Sequence, residues 1–216
     1  MIDWSKIKSV FLDLDGTLLD LYYDNHFWLE HVPVRYAEKH GLDHAEALDV
    51  LDSKYSAVMG SLNWYCVDYW SRELELDISE LKREVSDKIS VRPKVEEFLE
   101  YLHMLGKRVV LVTNAHPASV AIKMKKTSLD RYFNRIVTSH EIGIAKEQHD
   151  FWPALQKMEP FEKQSTLFID DNFNVLDSAK AYGVEYLLAI KKPDSQGEDK
   201  QHEHYPLLDS FEQIIE

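Results

Sequence analysis

Residues 7–20 read IKSVFLDLDGTLLD, and this stretch decides the fold. Val10, Phe11 and Leu12 form a short apolar run with a β-branched start, the pattern of a buried strand. The run leads into two acids, Asp13 and Asp15, which point the same way along an extended chain. Gly16 follows, where the backbone is free to turn sharply. A strand that delivers two carboxylates to a turn suits an open α/β sheet, in which ligands bind outside the carboxyl ends of the strands.

Working outward, apolar or β-branched runs at Ile7–Leu14, Arg108–Thr113, Arg135–Ser139, Thr166–Asp170 and Glu185–Ile190 are the strand candidates. Amphipathic stretches at Pro93–Leu105, Pro117–Thr127, Asp150–Met158 and Phe173–Tyr182 lie between most of them. This alternation predicts an α/β fold, a Rossmann-like doubly wound parallel sheet with helices on both faces. One connection breaks the rhythm. The roughly 70 residues from Leu21 to Arg92 show only helical pattern, far more than a single crossover needs. The expected organisation is a core of residues 1–20 and 93–216 with an inserted helical subdomain at 21–92. Breaks near His40-Gly41, Met59-Gly60 and Leu76-Asp77 divide the insertion into four helices. Lys191–His204 reads as a polar loop, and Pro206–Ile215 as a short closing segment.

Bulk properties narrow the function. The 216 residues are 44% hydrophobic and suffice for one ordinary domain with a small insertion. No apolar run approaches the roughly 20 residues of a membrane helix, and the N-terminus lacks the plan of a signal peptide. The single cysteine, Cys66, has no internal disulfide partner, which makes a reduced, cytoplasmic setting the expectation. A net charge of −13 argues against nucleic-acid or anionic-membrane partners. The same charge repels an anionic substrate, so local cations must reverse the field wherever one binds.

The chemistry is expected at strand ends. Asp13 is placed as a nucleophile, because a carboxylate attacks phosphorus competently. Asp15 is placed as the acid that protonates a leaving oxygen and then activates water. At Leu111-Val112-Thr113-Asn114 a second apolar strand ends in small polar groups, with Pro117 where a helix could begin. Thr113, Asn114 and nearby backbone N–H groups suit phosphate oxygens; taken alone, the pattern fits a simple helix cap equally well. At Leu167–Asn172 two adjacent acids, Asp170 and Asp171, close a buried strand, which is costly unless they bind something. Asp13, Asp15 and Asp170 together make an oxygen-rich set of the kind magnesium prefers.

Asp13-x-Asp15-Gly16-Thr17-Leu18, Thr113-Asn114, Lys146 and Asp170-Asp171 follow in the order of the four motifs of the haloacid dehalogenase superfamily, which the chain closely resembles. The resemblance implies that Lys146 clamps phosphate, that Gly16, Asn114 and Lys146 surround it, and that Mg2+ is the cofactor. It also implies that Asp15 contributes its backbone carbonyl to the metal, with Asp171 supporting the shell. Ala145 stands where the family usually has proline. The long insertion follows the first motif and not the second, the arrangement of the family's C1 caps. A carboxylate at Asp15 favours phosphate chemistry over dehalogenation and leaves a phosphomutase or sugar-phosphate phosphatase as the alternative.

The insertion is rich in aromatic residues, among them Trp28, Tyr55, Trp64, Tyr65, Tyr69 and Trp70. Their four-residue spacings (Tyr65 with Tyr69, Cys66 with Trp70) read first as a packed helix face. Segments such as Asp24–Trp28, Leu62–Cys66, Asp68–Ser71 and Thr113–Pro117 look like the proteobacterial GMP/IMP nucleotidases. That likeness implies a 5′-nucleotidase acting on purine monophosphates. Asn25, Asn63, Asp68 and His116 are polar groups that could touch substrate, but as residues they read first as solvated or capping groups. The tract His202-Glu203-His204 is expected to be solvated.

Overall fold

The computed structural model describes residues 2–215. Its centre is a six-stranded, wholly parallel sheet of β1 (Ser9–Leu12), β2 (Arg108–Thr113), β3 (Arg135–Thr138), β4 (Thr166–Asp170), β5 (Tyr186–Ile190) and β6 (Leu207–Leu208). The strand order is β3-β2-β1-β4-β5-β6, so the order reverses beside β1. In such a doubly wound sheet the crevice at the reversal is where ligands bind. Ser9–Leu12 pairs in register with Arg108–Leu111 on one side and Thr166–Ile169 on the other. The carboxyl ends of β1, β2 and β4 are therefore level.

Alternation along the strands supplies two cores. Val10, Leu12, Leu111, Leu167 and Ile169 face one, and Phe11, Val110, Val112 and Phe168 face the other. The first is covered by α6 (Val95–Met104) and α7 (Pro117–Thr127). The second is covered by α9 (Phe151–Met158) and α10 (Phe173–Tyr182). A short helix, α8 (Ser139–Ile142), follows β3.

Between β1 and α6 the chain is helical. Its elements are α1 (Tyr22–His26), α2 (Val32–His40), α3 (His44–Val58), α4 (Val67–Leu74) and α5 (Ile78–Glu84). Phe27–His31 joins α1 to α2 as a π turn, so the two form one continuous helix. Pro33 explains the wide turn: it has no N–H, and its ring would clash with a carbonyl one turn back. Gly41, at φ +67°, ends α2, while a capping box between Asp43 and Glu46 starts α3. The buried side chains of these helices, including Phe27, Tyr55 and Trp70, are continuous with the first core. The loop after β5 is not a free tail. Arg92 donates to the Lys192 and Pro193 carbonyls, and Asn25 Nδ2 donates to Asp194 Oδ2 at 2.6 Å. No helix among the described residues is long and apolar enough to cross a membrane.

Candidate active site

Asp13 follows β1 directly, and its N–H continues the ladder to the Ile169 carbonyl at 3.0 Å. Its carboxylate thus emerges at the strand-order reversal and is 5% exposed. Lys146 reaches it from the loop after α8. The ammonium donates to Asp13 Oδ1 at 2.5 Å, Asp170 Oδ2 at 2.7 Å and the Val112 carbonyl at 3.1 Å. Burial disfavours the charge on Lys146, but Asp13 and Asp170 outweigh it and hold the group protonated.

Carboxylate oxygens of Asp13, Asp170 and Asp171 lie within 4.8 Å of one another. Burial, followed by the proximity of Asp13 and Asp171, pushes Asp170 up to about 8 despite Lys146. Burial likewise raises Asp171. Three hard, crowded oxygen donors with too little positive charge around them fit a small divalent cation. Gly16 makes the close approach possible. It sits at φ +84°, and a Cβ there would lie 2.8 Å from Asp171 Cγ. Lys200, from the polar loop after β5, pairs with the outer oxygen of Asp171 at 2.9 Å.

The Asp15 carboxylate does not join this set. It pairs with Lys123 of α7 at 2.6 Å, and Lys123 also holds Asp24 Oδ2 at 2.7 Å. Asp24 in turn receives Lys82 of α5 at 3.1 Å. Burial, then the charge of Asp24, pushes Asp15 up to about 7. A carboxyl poised there can hold a proton or release it near neutrality.

Thr113 and Asn114 end β2. The Thr113 hydroxyl accepts the Ala115 N–H at 3.0 Å. Asn114 spends its amide on the neighbouring loop: Oδ1 accepts the Lys146 N–H at 2.9 Å, and Nδ2 donates to Glu147 Oε2 at 2.9 Å. It therefore positions Lys146. Tyr65 of the insertion donates to the other Glu147 oxygen at 2.9 Å, tying the helices to this loop.

Apart from Gly16, Lys123, Glu147 and Lys200, these side chains border one cavity of about 330 Å³. Its floor holds Asp13, Asp15, Thr113, Lys146 and Asp170, and its roof is apolar, with Trp28, Leu29, Tyr55, Trp64, Tyr65 and Val67. Trp28 and Leu29 are presented by the π turn. The roof aromatics also pack edge to face on Trp70, Tyr55 at 5.1 Å and Trp64 at 6.3 Å between ring centroids. One layer therefore serves as both core and cavity wall. Asn25 and His116 border the cavity, whereas Asn63 and Asp68 do not. The His202 ring lies on Phe173 at 4.2 Å, away from the acids.

Sequence reasoning missed Lys82, Lys123 and Asp24. Each lysine is under 4% exposed and is held against carboxylates beneath the cavity, Lys82 on Asp24 and Lys123 on Asp15 and Asp24. Lys123 sits beside Lys125 and Lys126 on an ordinary-looking helix, and no local signal separates it from them.

The chain is 38% identical over 214 residues to the GMP/IMP nucleotidase YrfG of Escherichia coli strain K12, covering 99% of this chain and 96% of that protein. It is 26% identical over 183 residues to a phosphoglycolate phosphatase of Pseudomonas fluorescens, covering 82% of this chain and 67% of that one. The crystal structure of a HAD phosphatase from Thermococcus onnurineus superposes with a TM-score of 0.80 at 20% identity over 96% of both chains. The profile of the haloacid dehalogenase-like hydrolases matches residues 7–183, and the chain belongs to that family.

Proposed function

We propose that the protein is a magnesium-dependent phosphomonoesterase, a 5′-nucleotidase that dephosphorylates purine monophosphates such as GMP and IMP. The observation that carries the chemistry is the convergence of Asp13, Lys146 and Asp170 at the floor of a cavity roofed by aromatic side chains. The purine preference is supported by the 38% identity to a GMP/IMP nucleotidase along nearly the whole chain. A reduced cytoplasmic setting accords with the free Cys66.

In this reading Asp13 attacks the phosphorus and forms an aspartyl-phosphate, while Lys146 offsets charge between nucleophile and phosphate. Asp15, able to carry a proton near neutral pH, delivers it to the departing ribose oxygen and then accepts one from the water that hydrolyses the acyl phosphate. Asn114 and Glu147 fix Lys146, and Lys123 fixes Asp15. In the same reading the Thr113 hydroxyl donates to a phosphate oxygen. Residues 21–92 act as the cap that excludes bulk water, with the roof aromatics available to stack on a base. Asp13, Asp170 and Asp171 would hold magnesium, which would supply Lewis-acid neutralisation of phosphoryl charge.

A phosphate-release screen tests the reading directly. GMP and IMP should be turned over with magnesium and not with excess EDTA, and they should outperform CMP, phosphoglycolate and hexose phosphates in kcat/KM. Preference for a sugar phosphate or phosphoglycolate would overturn the nucleotidase reading. No monoester turnover at all would overturn the phosphatase reading.

A further inference from the structure

We infer that Cys66, His116 and His140, with Asp68 as the fourth donor, form a transition-metal site, best suited to zinc, that staples the helical insertion to the sheet. The three side chains come from three distant parts of the chain. Cys66 caps the N-terminus of α4, His116 precedes α7 beyond β2, and His140 lies in α8 beyond β3. One ligand atom from each lies within 4.8 Å of the others. A tetrahedral zinc with thiolate and imidazole ligands needs donor separations of about 3.5 Å, so side-chain adjustments of about 1 Å close the set. Asp68 Oδ2 stands 3.7 Å from His116 Nε2, on the solvent side.

Two observations point to a ligand rather than to fortuitous packing. Both ring nitrogens of His140 are buried and have no hydrogen-bond partner among the described residues. A buried imidazole with neither nitrogen satisfied is costly, and a metal ion would use one of them. The donor chemistry also differs from that of the acid cluster. Sulfur and nitrogen select zinc-like ions, while the carboxylates select magnesium, so the two sites would sort metals by softness. His116 Nδ1 takes only a long 3.3 Å contact from the Ala118 N–H, which is given up when its ring proton moves to Nδ1 and Nε2 takes the metal. Cys66 loses its proton to buffer on binding.

The site spans the boundary that must open for ligand exchange in any capped enzyme. Cys66 and Asp68 belong to the insertion, and His116 and His140 to the sheet side. A bound ion would hold the cavity shut, with His116 drawn away from whatever occupies it. Zinc would then inhibit without displacing magnesium.

The test uses the full chain in saturating magnesium, so that the acid cluster is occupied. One equivalent of Co2+ should give a thiolate-to-cobalt charge-transfer band with tetrahedral d–d absorption. Cys66 is the only cysteine in the sequence, so its alkylation by iodoacetamide reports this site alone. One equivalent of Zn2+ should slow that alkylation at least tenfold, and His140→Ala should weaken the protection at least tenfold. Absence of the cobalt–thiolate band, or an alkylation rate unchanged by zinc, overturns the site. So does full protection in His140→Ala, because the thiol would then be binding metal without the imidazole. The wild-type measurements need no variant to fold.

Discussion

Lys123→Met is the perturbation that most directly probes how the cavity is held. The Lys123 side chain is 1% exposed and lies between Asp15 at 2.6 Å and Asp24 at 2.7 Å. Methionine keeps the length and removes the charge, leaving two half-buried carboxylates facing each other. Removing one partner of a buried ion pair costs about 3–5 kcal/mol. Two features of the site place the expected loss at the lower end. Lys82 still holds Asp24 at 3.1 Å, and Asp15, already pushed up to about 7, escapes its repulsion by taking a proton. A loss of about 3 kcal/mol corresponds to roughly 6–12 °C in Tm for a chain of this size. Thermal and urea unfolding of the metal-free protein at neutral pH measure it. Lys123→Met/Asp24→Asn should recover at least half of the lost stability, because the repelling partner is gone. It should not recover kcat, because Asp15 still lacks the cation that orients it. A single variant melting within about 2 °C of wild type refutes the electrostatic account, as does an Asp24→Asn change that adds to the loss instead of offsetting it.

Asp13→Asn should abolish turnover while the melting curve in magnesium-free buffer stays at least as high as wild type, because a neutral amide relieves the acid cluster; retained activity would remove Asp13 as nucleophile. Gly16→Ala should cost about 1–3 kcal/mol for its left-handed backbone and raise the magnesium concentration needed for half-maximal rate at least tenfold, since its Cβ meets Asp171; an unchanged magnesium dependence would contradict that contact. Lys146→Met should destabilise the metal-free protein by about 3–5 kcal/mol and be rescued by magnesium more than wild type is, as the difference in metal-induced Tm shift would reveal.

Much of this was legible in the sequence because the chemistry sits where apolar runs stop. Thr113 and Asp170 each close a strand, and Asp13 follows one directly, a position that pattern alone identifies. Pro117–Thr127 and Phe173–Tyr182 matched their helices end to end, since Pro117 and Gly183 mark the boundaries plainly. The two-residue alternation carried less far. Asp13 and Asp15 share a side only while the chain stays extended, and β1 ends at Leu12. The turn through Gly16 aims Asp15 at Lys123 and lets Asp171 complete the acid cluster. The role of Asn114 was also hidden, because an amide that holds a loop and one that holds a phosphate look alike in sequence. β6, two residues long, and the π turn at Phe27–His31 have no periodicity of their own. The buried lysines depend wholly on which helix packs on which, and a lysine carries no mark of its tertiary neighbours.

The central position of β1 has a consequence for how the protein is made. Ser9 leaves the ribosome well before its neighbours Arg108 and Thr166 are synthesised. Until then this wholly buried strand has both edges unpaired, while the helices that follow can already close local contacts. Chains rich in such distant pairings assemble slowly and expose sticky edges while they wait. Nascent protein arrested between β2 and β4 should therefore aggregate or recruit chaperones, and the completed chain should refold with its helical signal preceding its sheet signal.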